Sequence, residues 1–201
     1  FSKIFKIHIQ ISQNKKCLDI IQAARTLFWK HGFKRVSIEE ICREAKTSKM
    51  TFYKFFANKL ELAKAVFDFV VDDSVSTFKT VLHETTSASE LIAQMLQMKK
   101  EGIHEISKEF ISDFYTNPDL GLKEYIEEKT RTVWATMIGD FKLAQERGIL
   151  RKDLNIEFFV YFSQKFRDLL YDPYLNKIYP NPQDLIMELT RFSAYGISPH
   201  Q

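Results

Sequence analysis

The residues from Thr47 to Lys59 carry side chains suited to a nucleic-acid surface. Ser48, Thr51 and Tyr53 supply hydroxyls, Lys49, Lys54 and Lys59 supply ammonium groups, and Met50 adds an apolar tip. Phe52 and Phe56 are one helical turn apart and belong on the inner face. That leaves Lys49, Met50, Thr51, Tyr53 and Lys54 outward, a face with donors for base edges and for phosphate oxygens.

The flanking sequence predicts how this face is held. Ser37 followed by Glu40 is a capping box that starts a helix, and Ile38, Ile41 and Ala45 share one side of it. Lys46-Thr47 forms the turn. Ser48 caps the next helix, and Asn58, with Glu61 three residues on, caps a third. Two short helices joined by a tight turn are a helix-turn-helix.

Other chemistry lacks a pattern. Gly32, Gly102, Gly121, Gly139, Gly148 and Gly196 are isolated, so there is no glycine-rich phosphate loop. Nucleophile-elbow and zinc motifs are missing. Glu101, His104, Glu105 and Glu109 read as the charged, solvated face of one helix, not as a metal site. His31, just before Gly32, reads as a favourable charge at a helix C-terminus. Neither enzymatic activity nor a cofactor is expected.

Charge is uneven along the chain. Residues 1–64 hold 14 Lys/Arg against 5 Asp/Glu, a balance of +9, and residues 65–201 hold 15 against 21, a balance of −6. A basic head on an acidic body suits a nucleic-acid binder whose body does something else. At 201 residues, with 6 Gly, 5 Pro and long stretches of helical periodicity, the chain is expected to be all-α. Cys17 and Cys42 sit on apolar helix faces and read as buried free thiols, which suits a reducing cytoplasm. No apolar run approaches the roughly 20 residues of a membrane span, and no signal-peptide pattern appears. Because residue 1 is Phe and not Met, the extreme N-terminus is expected to be processed, truncated or added.

Residues 1–13 alternate apolar and polar side chains with period two. They could be disordered, extend the first helix or pair with a second copy; a flexible or extended arm is the favoured reading. The DNA-binding domain is expected over 14–62 and the body over 63–201. The first helix runs from about Asn14 to His31, and a long one from Asn58 to about Glu84. Helices follow from Glu90 to about Lys99, from about Gly102 to Tyr115, and from the break at Asn117-Pro118 to about Arg147. Asn155 caps an apolar helix, and a final helix runs from Asn181-Pro182 to about Tyr195.

Residues Cys17 to Leu62, with the matching run IIQAARTLFWKHGFKRVSIEEICREAKTSKMTFYKFFANKLEL, resemble the N-terminal DNA-binding domain of the TetR (tetracycline repressor-type) family of bacterial transcription regulators. A-A-x-x-L-F-x-x-x-G-F-x-x-x-S-I spans Ala23 to Ile38, and S-x-x-T-F-Y-x-x-F-x-x-K spans Ser48 to Lys59. The chain departs from the family pattern at Lys46, usually Gly, and at Met50, usually a small residue. A non-Gly residue at the turn costs about 1 kcal/mol if the turn requires a left-handed conformation there.

The resemblance implies a repressor of a palindromic double-stranded DNA operator. Thr47, Ser48, Lys49, Met50 and Thr51 are placed nearest the base edges; Tyr53, Lys54, Lys59 and Ser37 are placed on phosphates. It also implies that Met95, Met98, Phe110, Phe114, Tyr115, Trp134, Met137 and Phe141, otherwise ordinary core residues, line a pocket for a small apolar effector. Tyr115, Tyr125, Trp134 and Gln164 would orient that effector, and Phe69, Val70 and Phe78 would relay its binding. A single helix-turn-helix reads too few bases, so a homodimer is expected. Its interface would comprise Phe158, Tyr161, Phe162, Lys165, Phe166, Leu169, Leu189, Phe192 and Ser193. The competing reading is a protein-binding adaptor of the same fold that does not read DNA; the basic set on the second helix of the motif argues against it.

Overall fold

The structure, a computed structural model, describes residues 14–116 and 121–199. The expectations for residues 1–13 and for the break at Asn117-Pro118 concern residues outside these. Among the described residues every regular element is helical, and the chain divides into two compact units.

The first unit holds residues up to Asp72 together with Ser107–Ile126. Helix α1 (Lys15–His31) is capped by the Asn14 side chain, which accepts from the amides of Lys16 and Cys17. Its Ile20, Ile21, Ala24 and Phe28 are fully buried. Gly32 ends it with φ 76° and ψ 169°, a conformation essentially restricted to glycine. Helices α2 (Ile38–Glu44) and α3 (Lys49–Phe55) follow, then the first half of α4 (Lys59–Glu84). The Asn58 carboxamide accepts the Glu61 amide at 2.9 Å to cap α4.

The later segment of this unit departs from expectation. One helix is predicted from Gly102 to Tyr115, but α5 (Ala88–Gly102) continues to Gly102 and the chain then turns, with Glu105 at φ 65°. Ser107 caps the short helix α6 (Lys108–Ile111), which runs into a π-helical turn at Ser112–Thr116. Phe110 and Phe114 do not join the body. They pack against α1, with ring centroids 4.2 Å apart for Trp29 and Phe110, 5.9 Å for Phe28 and Phe114, and 6.2 Å for Phe33 and Phe114. The Ser107 amide donates to the Trp29 carbonyl at 2.9 Å.

The second unit holds residues 73–106 and 127 onward. It takes the second half of α4, helix α5, most of α7 (Leu122–Glu146), α8 (Ile156–Leu169), the short α9 (Leu175–Ile178) and α10 (Pro182–Gly196). Helices α5 and α10 pack along each other. Leu82, Leu91, Phe141, Leu150, Phe159 and Ile197 centre its core. Arg147 donates to the carbonyls of Leu82 and Thr85 at 3.1 and 2.6 Å, which satisfies acceptors at the end of α4 that no helical amide can reach. Asn155 caps α8 and Asn181 caps α10, whose first residue is Pro182.

Candidate nucleic-acid interface

Helix α2 begins with the expected capping box. The Glu40 amide donates to Ser37 Oγ at 3.1 Å, and the Ser37 amide and hydroxyl donate to Glu40 Oε2 at 2.8 and 2.9 Å. Both donors of Ser37 are therefore engaged by a protein carboxylate at the spot where a phosphate is expected. The Ser37 amide above all, and then its hydroxyl, hold the Glu40 carboxyl below its usual range.

The turn closes without glycine. The Thr47 amide reaches the Cys42 carbonyl at 2.9 Å and the Lys46 amide reaches Arg43 at 3.1 Å, the paired bonds of a Schellman motif. Lys46, between them, takes φ 49°. The lysine thus takes the left-handed conformation, at a cost of about 1 kcal/mol. Ser48 then caps α3: its Oγ accepts the Thr51 amide at 3.1 Å and lies 3.0 Å from Thr51 Oγ1.

Phe52 and Phe56 are buried and pin the inner side of α3. Its outer side shows Lys49, Met50, Tyr53 and Lys54; Met50 is 72% exposed and Tyr53 55%. Lys49 is ion-paired with Glu39 of α2. Both partners are more than half exposed, so the pair contributes little stability and yields readily to a phosphate.

Lys59 sits differently from expectation. Its Nζ donates to the carbonyls of Phe33 and Val36 at 2.8 and 2.7 Å, with Lys34 at 3.4 Å, and lies 4.3 Å from the Phe33 ring centroid. Burial lowers the pKa of this ammonium despite the nearby carboxylates of Asp113 and Glu40. The group ties α4 to the loop that delivers Ser37, instead of standing free at the surface.

The eight residues expected to line one pocket divide between the two units. Phe110, Phe114 and Tyr115 belong with α1 in the first. Met95 and Met98, on α5, are half-buried in the second. There Met137 and Phe141 lie in the core, Met95 packs against that core, and Trp134 stacks on Phe141. Two of the four polar groups expected to orient a ligand are engaged elsewhere. The Tyr125 hydroxyl donates to Asp68 at 2.5 Å within the first unit, and burial, then that carboxylate, raise its pKa. Gln164 donates to the Val160 carbonyl one turn back. Of the three expected relay residues, Phe69 and Val70 fall in the first unit and Phe78 in the second. Glu101 lies in the last turn of α5 and Glu109 on α6, so the acidic group with His104 does not share one helix, and among the described residues no three His, Cys, Asp or Glu side chains are grouped so as to hold a metal ion.

The residues expected at a dimer interface form an aromatic face on α8 and α10. Phe158, Tyr161, Phe162 and Phe192 are exposed, and Lys165 with them; Phe166, Leu169, Leu189 and Ser193 are half-buried. Phe158 stacks on Phe162 at 5.8 Å, and Phe162 meets Phe192 at 6.5 Å between centroids. Tyr195, three residues beyond Phe192, extends the face; its helical spacing was a signal that the expected set did not use. Asp113 also carries no sequence signal. It is buried, and no local pattern marks it, because its partners lie 79 residues earlier in sequence.

Cys17 and Cys42 are buried free thiols, and burial raises the pKa of each. No helix among the described residues is long and apolar enough to cross a membrane.

Residues 20–66 match the family model for bacterial regulatory proteins of the tetR family. The transposon Tn10 TetC protein of Escherichia coli is 29% identical over 160 residues, which cover 75% of this chain and 80% of TetC. The HTH-type transcriptional activator FasR of Mycolicibacterium smegmatis is 30% identical over 138 residues, 64% of this chain and 62% of FasR. The fold resembles that of the fatty acid degradation regulator FadR from Bacillus halodurans, with a TM-score of 0.65 at 16% identity over 92% of this chain and 97% of that one. FadR from Bacillus subtilis, solved in complex with stearoyl-CoA, gives 0.62 at 16% identity over 90% and 98%. Regulators, not enzymes, share both its sequence and its fold, and a capped helix-turn-helix with an exposed basic outer face is what such proteins set on DNA. Residues 20–66 carry the DNA-binding domain of the bacterial tetR family, and over its length the chain is similar to TetR-type DNA-binding transcriptional regulators.

Proposed function

We propose that this regulator is a homodimeric repressor, held on a palindromic operator and released by a small, largely apolar ligand. The observation that carries the dimer is the aromatic face of α8 and α10, where Phe158, Phe162 and Phe192 are 62, 38 and 67% exposed. Large aromatic side chains left in water across two adjacent helices favour burial against a second copy. A two-fold partner sets two α3 helices about 34 Å apart, one turn of DNA.

Within each half-site, Thr47, Ser48, Lys49, Met50 and Thr51 turn to base edges, and Tyr53 and Lys54 to phosphates. Ser37 and Lys59 act one layer behind, by fixing where α2 and α4 begin. Half-buried Met95, Met98 and Trp134 support a ligand site in the second unit, since such side chains deform around apolar guests. The acyl chain of the stearoyl-CoA bound by the Bacillus subtilis FadR is of that chemical class. Reversing a 99:1 preference for the DNA-competent form requires about 5.5 kcal/mol of differential affinity.

Selection from a random duplex library, followed by affinity measurement against salt, tests this reading. A palindrome bound by two protomers, with affinity falling steeply as salt rises and displaced by a long-chain acyl compound, is expected. A single half-site bound by one protomer would remove the dimer, and affinity unmoved across a set of apolar compounds would remove the ligand.

A further inference from the structure

Resting on the reading that α3 enters the major groove, we infer that Met50 recognises the C5-methyl group of a thymine in each half-site. The first turn of a recognition helix is the part that reaches base edges. In that turn two hydroxyls are engaged with each other, and Met50 is the apolar side chain that points outward. Ser48 and Thr51 hydroxyls are 3.0 Å apart, and Ser48 Oγ also holds the Thr51 amide. Lys49 leans back onto Glu39. Met50 stands 72% exposed.

A thioether chain makes no useful hydrogen bond to a base, so what it gains on docking comes from burying carbon and sulfur. The floor of the major groove offers donors and acceptors throughout, and one apolar group, the thymine methyl. Met50 therefore discriminates by apolar contact, and A·T pairs at that position are favoured over G·C.

The test uses the full-length protein and the duplex it selects from a random library. Each thymine is replaced in turn by deoxyuridine, which deletes the methyl and leaves pairing unchanged. At one thymine per half-site the wild-type protein should bind about fourfold more weakly, and about fifteenfold when both half-sites are changed, the factors that correspond to one buried methyl each. Met50→Ala should bind the natural duplex more weakly and be indifferent to the uracil change; Met50→Leu, which keeps the apolar reach, should stay sensitive to it. The circular dichroism of both variants should match wild type, because the side chain is exposed. Enrichment of a sequence in which no thymine replacement weakens wild-type binding more than twofold, or a Met50→Ala protein that keeps the full uracil penalty, would overturn this inference alone. Enrichment of no sequence would overturn DNA reading by α3 and this inference with it.

Discussion

Gly32 and Asp113 meet at a distance that leaves no room for a side chain. A Cβ on Gly32 would lie 2.8 Å from Asp113 Oδ2 and 3.0 Å from the Glu109 Cβ. The same Oδ2 accepts the Lys34 amide at 2.8 Å. The glycine that ends α1 and the carboxylate of the π-helical turn thus form one joint, which fixes the loop leading to the helix-turn-helix.

Gly32→Ala is expected to destabilise the protein by about 3 kcal/mol, from a backbone conformation that only glycine adopts easily and from the clash with Asp113. Denaturant unfolding measures the loss. The double variant Gly32→Ala/Asp113→Ala should lose less than the two single variants added together, because removing the carboxylate relieves the clash. Strict additivity would mean that the two residues do not press on each other.

Lys59→Met separates two roles for this lysine. As the tie between α4 and the Phe33–Val36 carbonyls, its loss should cost about 2 kcal/mol of stability, since bonds to a charged donor are the stronger kind. DNA affinity should fall with the slope of log K against log salt unchanged. A slope reduced by about one unit would instead mark Lys59 as a direct phosphate contact.

The capping box makes a pH prediction. Glu40 is stabilised as a carboxylate in the folded protein, first by the Ser37 amide and then by its hydroxyl, so its folded pKa lies below its unfolded value. The folded state then binds fewer protons than the unfolded state, and stability rises with pH across that interval. The contribution is complete above the unfolded value of about 4.3 and disappears as pH falls through the folded one. Unfolding of wild type and Glu40→Gln, compared between neutral pH and pH 3, should show a stability gap that closes with acid. A gap constant over this range would remove Glu40 from the pH response.

Phe192→Ala probes the aromatic face. Fully burying one such ring is worth about 1.5–3 kcal/mol, and two-fold symmetry counts it twice, so dimer dissociation should ease by about 3–6 kcal/mol. Light scattering across a dilution series reads this directly. The fold should survive, because Phe192 is 67% exposed in the single chain. An unchanged dimer would place the interface elsewhere.

Much of the head is legible in the sequence because its determinants are local. Ser37 and Glu40 make a capping box from three residues' separation, Ser48 and Asn58 cap their helices, and Phe52 and Phe56 fall on the buried side by helical period alone. The conformation of Lys46 is instead set by the Schellman closure between Cys42 and Thr47, which puts whatever residue stands at 46 into the left-handed region. What tertiary structure decided is which apolar residues share a core. Phe110 and Phe114 have the same character and spacing as Met137 and Phe141, and helical periodicity can say only that each faces inward. That the first pair packs on Trp29 and Phe28 and the second on Trp134 and Phe159 depends on where the chain turns after Gly102 and how Asp113 reaches Gly32. Hydrophobic burial has no direction and names no partner. The choice between two available cores is made by shape and by a few long-range hydrogen bonds, which no local pattern encodes.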